Sequence, residues 1–192
     1  QAKMIAGAEV PPFKGSIALQ GLQLGPALKA VSETPISISG TTGADLSLQG
    51  KGFSMPELTK ALEGTGHLAV KDGKIEGVNI LQEVADALKV AGISMGDAKA
   101  TAFSTIETDL AIKQGVINVQ RLLMDSHDFQ ATGGGTVGFD QKLNLIVNLN
   151  LSQDVSQKIS AASPVVQIAM KDGRLSLPLA ISGTAQAPSY GV

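Results

Sequence analysis

The sequence predicts a mainly β protein with short accessory helices, an α+β chain whose body is an antiparallel sheet built of hairpins. Three observations carry this reading. Apolar and polar residues alternate with period two over long segments. Asp-Gly and Gln-Gly pairs punctuate those segments where strand twist favours two-residue turns. Strands follow strands directly, without the alternating helices of a doubly wound fold.

The elements follow in order. Gln1 to Pro12 (1–12) reads as an irregular segment and 13–192 as a single domain. The chain starts without Met, so the expectation is a piece of a longer protein with any anchor removed. Ser16 to Gln20 and Ile36 to Gly50 alternate through Ile17, Leu19, Ile36, Ile38, Leu46 and Leu48, and Gly25-Pro26 between them opens a short helix toward Val31. Ser54 with Glu57 forms a capping box, with Pro56 in the first turn of a helix reaching about Leu62. Asp72-Gly73 is read as a two-residue turn that pairs Val70 with Ile75 and puts Lys71 and Lys74 on the opposite face. Asn79 caps a helix whose apolar face is Ile80, Val84, Ala87, Leu88 and Ala91. The stretch 91–100 reads as a possible mobile loop between two sections of one sheet.

Beyond it, Gln114-Gly115 pairs Ile112 with Ile117 and Leu110 with Val119. A three-residue loop, Asp140 to Lys142, pairs Phe139 with Leu143 and Val137 with Leu145. Leu143 to Leu151 alternates an aliphatic face with Asn144, Ile146, Asn148 and Asn150, the mark of a sheet with one dry and one wet side. Asp154 to Ala162 is a helix before Pro164. Asp172-Gly173 repeats the earlier turn, facing Met170 with Leu175, Ile168 with Leu177 and Val166 with Leu179.

Composition removes several classes of function. Hydrophobic residues make up 43% and charged residues 17%, with a net charge of −2, so a packed core is expected and a basic field for nucleic acid is not. Aromatics are 3% with no Trp, which leaves no stacking platform for bases or sugars. Without cysteine there are no disulfides, zinc ribbons or thiol chemistry. No run of about 18 apolar residues marks a membrane span.

The candidate chemistry is thin. Gly133-Gly134-Gly135-Thr136-Val137-Gly138 satisfies a dinucleotide-binding spacing but runs into a hairpin, where a strand–helix context is required. It reads better as a strand where backbones approach closely. Asp125-Ser126-His127-Asp128 holds triad residue types, yet triads assemble from separated segments, and Asp125 with His127 supplies only half a metal site. A hydrolase built on His127 is therefore a minor reading. His67 opens a strand before Leu68 and is expected at the surface. Lys71, Lys74, Lys171 and Arg174 flank turns, where they keep strand ends soluble or touch lipid headgroups. No catalytic residue, metal site or cofactor is assigned. The aliphatic stripe Leu145, Val147, Leu149, Leu177, Leu179 and Ile181 reads by default as core. Its near lack of aromatics, and helices too short to cover so long a sheet, lean toward a groove open to acyl chains.

The order of motifs resembles the C-terminal region of the AsmA family. The run starts at Phe13-Lys14-Gly15 and passes through Leu22 to Leu28, Ile38-Ser39-Gly40 and Leu46 to Gly52. It continues through Leu58 to Leu62 and the stretch Gly64 to Ile80, a strand into Asp-Gly and then Ile-x-Gly-Val-x-Ile. Thr101 to Ser104, Gln114 to Ile117, Gly133 to Phe139 and Leu177 to Thr184 with Pro188 complete it over nearly the whole chain. The resemblance implies a curved, half-pipe sheet with an apolar trough, similar to the repeating β-groove lipid transporters. It implies a periplasmic location tethered to the inner membrane of a Gram-negative envelope through an N-terminal anchor, and a role in outer-membrane biogenesis. The expected partner is phospholipid through its acyl chains, with other envelope proteins as further partners, and with no enzymatic activity. The competing expectation is a scaffold with a closed core that docks proteins through its sheet edges.

Overall fold

The structure is a computed structural model that describes residues 12–23, 37–52, 54–89, 95, 99–168 and 170–192. Among these, nine strands form one sheet in chain order, each antiparallel to the next. They are β1 (Phe13–Gln23), β2 (Ser37–Gly50), β3 (Glu63–Glu76), β4 (Ala100–Lys113), β5 (Val116–Asp125), β6 (Phe129–Gly138), β7 (Leu143–Leu151), β8 (Ser176–Thr184) and β9 (Ala187–Gly191). The helices are α1 (Met55–Ala61), α2 (Ile80–Ala87), α3 (Gln153–Ala162) and the single turn α4 (Pro164–Gln167). The mainly β antiparallel class is as expected, and the sheet is curved and unclosed. No helix among the described residues is long and apolar enough to cross a membrane. The segments 1–11 and 24–36 and most of 91–98, which hold the expected irregular terminus, the Gly25-Pro26 helix and the mobile loop, lie outside the described residues.

Register shows why one face stays dry. Cross-strand partners run as rows across the sheet. One row is Leu22, Thr42, Val70, Ile106, Met124, Ala131, Leu149 and Leu177. The next is Leu19, Ala44, Leu68, Thr108, Leu122, Gly133, Val147 and Leu179. A slip of one residue would turn a strand's apolar set to water. Three bulges would cause such a slip if the pattern did not change with them. The register shifts between Leu19 and Leu22, between Ser39 and Thr41 against β3, and between Val119 and Leu122. At each, the apolar positions change parity together with the backbone. Leu19 and Leu22, or Val119 and Leu122, therefore share a face despite odd spacing.

Three turn readings are corrected by this register. Asp72-Gly73 does not turn the chain: β3 runs through it, Val70 pairs with Thr42 and Ile106, and Ile75 pairs with Ile38 and Thr101. Asp72 does adopt the left-handed conformation (φ 49°), and with Gly73 it stands opposite Gly40 as a bulge. Asp-Gly therefore supplied the backbone freedom expected, but neighbours on both sides turned it into a bend in a long strand. Asp172-Gly173 does form its turn, with Lys171 and Arg174 exchanging both backbone hydrogen bonds at 2.9 Å. Beyond that pair the hairpin stops, because Pro164–Gln167 is helical and Leu177 and Leu179 pair with Leu149 and Val147. At the β6–β7 connection, Val137 pairs with Leu143 and not with Leu145. A shift of two residues keeps every side chain on its expected face. The Gln114-Gly115 hairpin has the expected register.

The helices cover part of the dry face. Ser54 and Glu57 make the expected reciprocal cap of α1. Asn79 caps α2 by accepting from Gln82 N at 3.1 Å, and its Nδ2 donates to Met95 O at 2.7 Å. The buried side of α2 is Ile80, Leu81, Val84 and Ala85. Ile80 and Val84 are buried as expected and Leu88 packs on the core, while Leu81 and Ala85 are buried as well; the helix also reaches β9. A helix that follows β3 touches the last strand only if the sheet curls around it. On α3, Val155 and Ile159 enter the same core as Val147, Leu149, Leu151, Leu175 and Leu179.

Two buried hydroxyls bear on stability in opposite directions. Thr101 Oγ1 accepts from Ile80 N and donates to Val78 O, both at 3.0 Å, tying α2 to β4. Thr101→Val keeps the shape but strands both backbone groups, so chemical denaturation should show a loss of about 1–3 kcal/mol. Thr42 Oγ1 is buried with no hydrogen-bond partner. Thr42→Val removes an unpaired hydroxyl from the apolar row, and the same measurement should show unchanged or increased stability, by up to about 1 kcal/mol.

Candidate groove face

Two further rows lie toward the end of the strands that carries α1. One is Ile17, Leu46, Gly66, Leu110, Val119, Gly135, Leu145 and Ile181. The other is Gly15, Leu48, Gly64, Ile112, Ile117, Val137 and Leu143. Both stand on the same face as the covered rows. Their aliphatic side chains are absent from the buried core and, Ile181 apart, from the side chains packed on it. Ile17 is 45% exposed and the others are half-buried. Among the described residues, this half of the inner face is an aliphatic strip that lies outside the closed core.

The six stripe residues named from sequence fall into three cross-strand pairs on β7 and β8: Leu145 with Ile181, Val147 with Leu179 and Leu149 with Leu177. The pairs do not share one environment. Val147, Leu149 and Leu179 are closed under the helices, while Leu177 and Ile181 are half-buried against that core. Leu145 alone continues into the aliphatic strip. Sequence reasoning passed over Leu46, Leu110, Ile112, Ile117 and Val119 as groove residues. Two of the pairs that line it, Ile112 with Ile117 and Leu110 with Val119, were already legible from the Gln114-Gly115 turn.

Glycines set the floor. A Cβ at Gly133 would strike Ile146 O and Val147 Cα, and one at Gly135 (φ +146°) would strike Asn144 O and Leu145 Cα. The glycine run in β6 is thus the close backbone approach expected of it, with no helix N-terminus following.

The polar residues do not assemble around this strip. His127 is exposed and lies 3.3 Å from Asp128, while Ser126 Oγ donates to Ala102 O at 2.9 Å and Asp125 accepts from Gln130 at 2.7 Å. Serine and histidine thus have different partners. Among the described residues no group of three metal-ligating side chains converges. Lys71 and Lys74 lie within β3 and not beside a turn, whereas Lys171 and Arg174 do flank one. His67 is in the middle of β3 and not at its start. On the outer face its Nδ1 meets Asp109 Oδ1 at 2.8 Å, and Arg121 Nε meets Asp109 Oδ2 at 3.2 Å. The His67 hydrogen bond, aided by the nearby positive charges and opposed by desolvation, holds the Asp109 carboxyl below its ordinary value. All three groups are around half exposed, so the row is worth little stability.

At the far edge, Tyr190 on β9 pairs with Ile181 and packs against the core. Burial, with the Glu83 carboxylate of α2 adding, pushes its phenol up to about 12. Burial, with Asp86 adding, also raises Glu83.

A curled, unclosed single-sheet meander with short helices packed on part of its inner face defines an open antiparallel β-sheet protein. The chain belongs to the AsmA family, whose sequence pattern matches residues 12–122. It is similar to Protein AsmA of Escherichia coli (strain K12), with 27% identity over 124 residues, 61% of this chain and 19% of that protein. The chain therefore spans about a fifth of that relative. No solved structure matches it.

The Tyr190 environment has a measurable consequence. Below pH 10 the phenol is neutral in both folded and unfolded chains, and its contribution is fully present. Between pH 10 and about 12 the unfolded chain ionises first, so stability falls as pH rises. Tyr190 is the only tyrosine and there is no Trp, so phenolate absorbance reads it alone. It should titrate near 12 in the folded protein, and Tyr190→Phe should remove part of the alkaline fall in melting temperature.

Proposed function

We propose that this domain is a non-enzymatic section of an envelope lipid conduit, binding phospholipid acyl chains on the aliphatic strip of its inner face. One observation carries the reading: two aliphatic rows cross the sheet from β1 toward β8, on the face that the helices leave uncovered. A strip across eight strands at about 4.8 Å spacing is roughly 34 Å long. That is about twice the roughly 15 Å thickness of one hydrocarbon leaflet, so an acyl chain fits along it. An aliphatic surface of this extent marks a site for a ligand or partner. The periplasm, with an inner-membrane tether elsewhere in the full-length protein, is the proposed location.

A second reading rests on a different feature. β1 is exposed along its whole length, with Phe13 at 42%, Leu19 at 38% and Leu22 at 40%. A long apolar edge strand is a template for pairing with another chain, as a scaffold requires. Photo-crosslinking in cells carrying the full-length protein separates the two. A photoreactive residue at Leu110, Ile112 or Leu145 should give phospholipid adducts, while Asn118 and Asn144 on the outer face and Val147 in the closed core should not. Protein adducts at β1 without lipid at Leu110 would leave the scaffold as the function.

A further inference from the structure

We infer that α1, with Phe13 and Phe139, is the second wall of the aliphatic strip, and that the width between the walls admits a lipid with two acyl chains and excludes one with four. This rests on the groove reading above and adds the walling residues and the chain number to it.

One wall is formed by α2 and α3, packed on the rows through Val147 and Leu149. The other follows from what stands beyond the row of Leu48 and Ile112. Two residues further along β2, at the parity of Leu46 and Leu48, is Gly50, paired with Phe13. A Cβ on Gly50 would meet the Phe13 ring at 2.9 Å and Ala61 O of α1 at 3.4 Å, so both lie over the inner face there. Another part of α1 rests on the β4–β5 turn. Gly115 in that turn is buried, and its Cβ would stand 2.9 Å from Thr59 Cγ2. Phe139 N donates to Gly115 O at 2.7 Å, which sets Phe139 beside the same turn, at the parity of Gly135 and Val137. Phe13, α1 and Phe139 thus form one line along the strip, from β1 to the end of β6.

The helix has two sides. Pro56, Glu57 and Lys60 are exposed, while Leu58, Thr59 and Ala61 are half-buried. Leu58 precedes Leu62 by one helical turn, and Leu62 leads into β3 at the parity of Gly64 and Gly66, on the inner side. Neither leucine belongs to the closed core. Phe13 and Phe139 are 42% and 41% exposed. A ligand on the strip would take these apolar groups out of water.

Between the walls lie two rows. Rows are two residues apart along each strand, so the floor is roughly 13 Å wide. Acyl chains in contact lie roughly 4–5 Å apart. Two fit side by side; four, needing roughly 16–20 Å, do not. Chains stacked above the floor would stay in water.

The test uses the 192-residue chain with a photoreactive residue at Leu110, Leu58 or Lys60. Vesicles contain phosphatidylglycerol and cardiolipin at equal phosphate, which share headgroup chemistry and carry two and four chains. The protein is separated from the vesicles before irradiation, and adducts are quantified by mass spectrometry. Leu58 should give phosphatidylglycerol adducts as Leu110 does, and Lys60, on the exposed side of α1, should not. Each methylene left in water is worth about fourfold, so phosphatidylglycerol should exceed cardiolipin at Leu110 by more than about tenfold. Phe13→Ala with Phe139→Ala should lower that ratio severalfold with an unchanged circular dichroism spectrum. Lipid at Leu110 without lipid at Leu58, equal labelling by the two lipids, or a ratio unmoved by the double substitution overturns the wall and leaves the groove reading standing. No adduct at Leu110 with either lipid removes both.

Discussion

Everything in this fold depends on keeping one face of a nine-stranded meander apolar while the sheet bends. A flat alternation cannot do this, since each bulge that bends a strand also reverses its parity. Here the apolar pattern reverses at the same places. Leu19 to Leu22 and Val119 to Leu122 each span a bulge, and each pair still points inward. On β4, Thr101 and Phe103 are buried at odd positions, and Ile106 and Thr108 at even ones. Bend and sequence pattern are matched, and the inner face remains continuous from β1 to β8.

The curl then determines what the helices can do. Two short helices would cover little of a flat sheet of this width. Inside a curled one, α2 leaves β3, packs on the covered rows and reaches β9 beside Tyr190. Its start is held by Asn79 and Thr101 and α3 is tied by Ser156, whose hydroxyl donates to Ser152 O and accepts from Leu175 N. These buried polar links lock the helices at one end of the strands. No comparable link draws a described helix over the rows of Leu110 and Ile112.

Much of this was legible in the sequence. Alternation placed Asn144, Ile146, Asn148 and Asn150 on the wet face, where Ile146 is 61% exposed. Capping chemistry placed α1 and α2 because Ser54, Glu57 and Asn79 act within four residues of their partners. The failures were all non-local. Asp72 has the positive φ that an Asp-Gly turn requires, but whether that residue turns or bulges depends on strands about 30 residues away on either side. Likewise Leu179 was expected opposite Val166, within its own hairpin. The proline-initiated turn at Pro164 removed that partner, and β7 supplied Val147 instead. The stripe was therefore correctly judged apolar, but its division into a closed half and a half outside the core was invisible. Val147 and Leu145 are two residues apart on one face and differ only in whether a distant helix covers them.

That division also reconciles the two functional readings. A scaffold needs a stable closed core, and the rows through Val147 and Leu149 provide one. A conduit needs apolar surface outside that core, and among the described residues the rows through Leu110 and Ile112 lie outside it. Packing alone would favour closing both halves, since bare aliphatic rows gain nothing from water and invite aggregation. At Gly64 and Gly66 the side chains of Leu48 and Leu46 on β2 lean over the glycines, and at Gly135 the backbone of β7 lies close. A Cβ at any of the three would strike a backbone oxygen of the neighbouring strand, so glycine is what allows the strands to approach there.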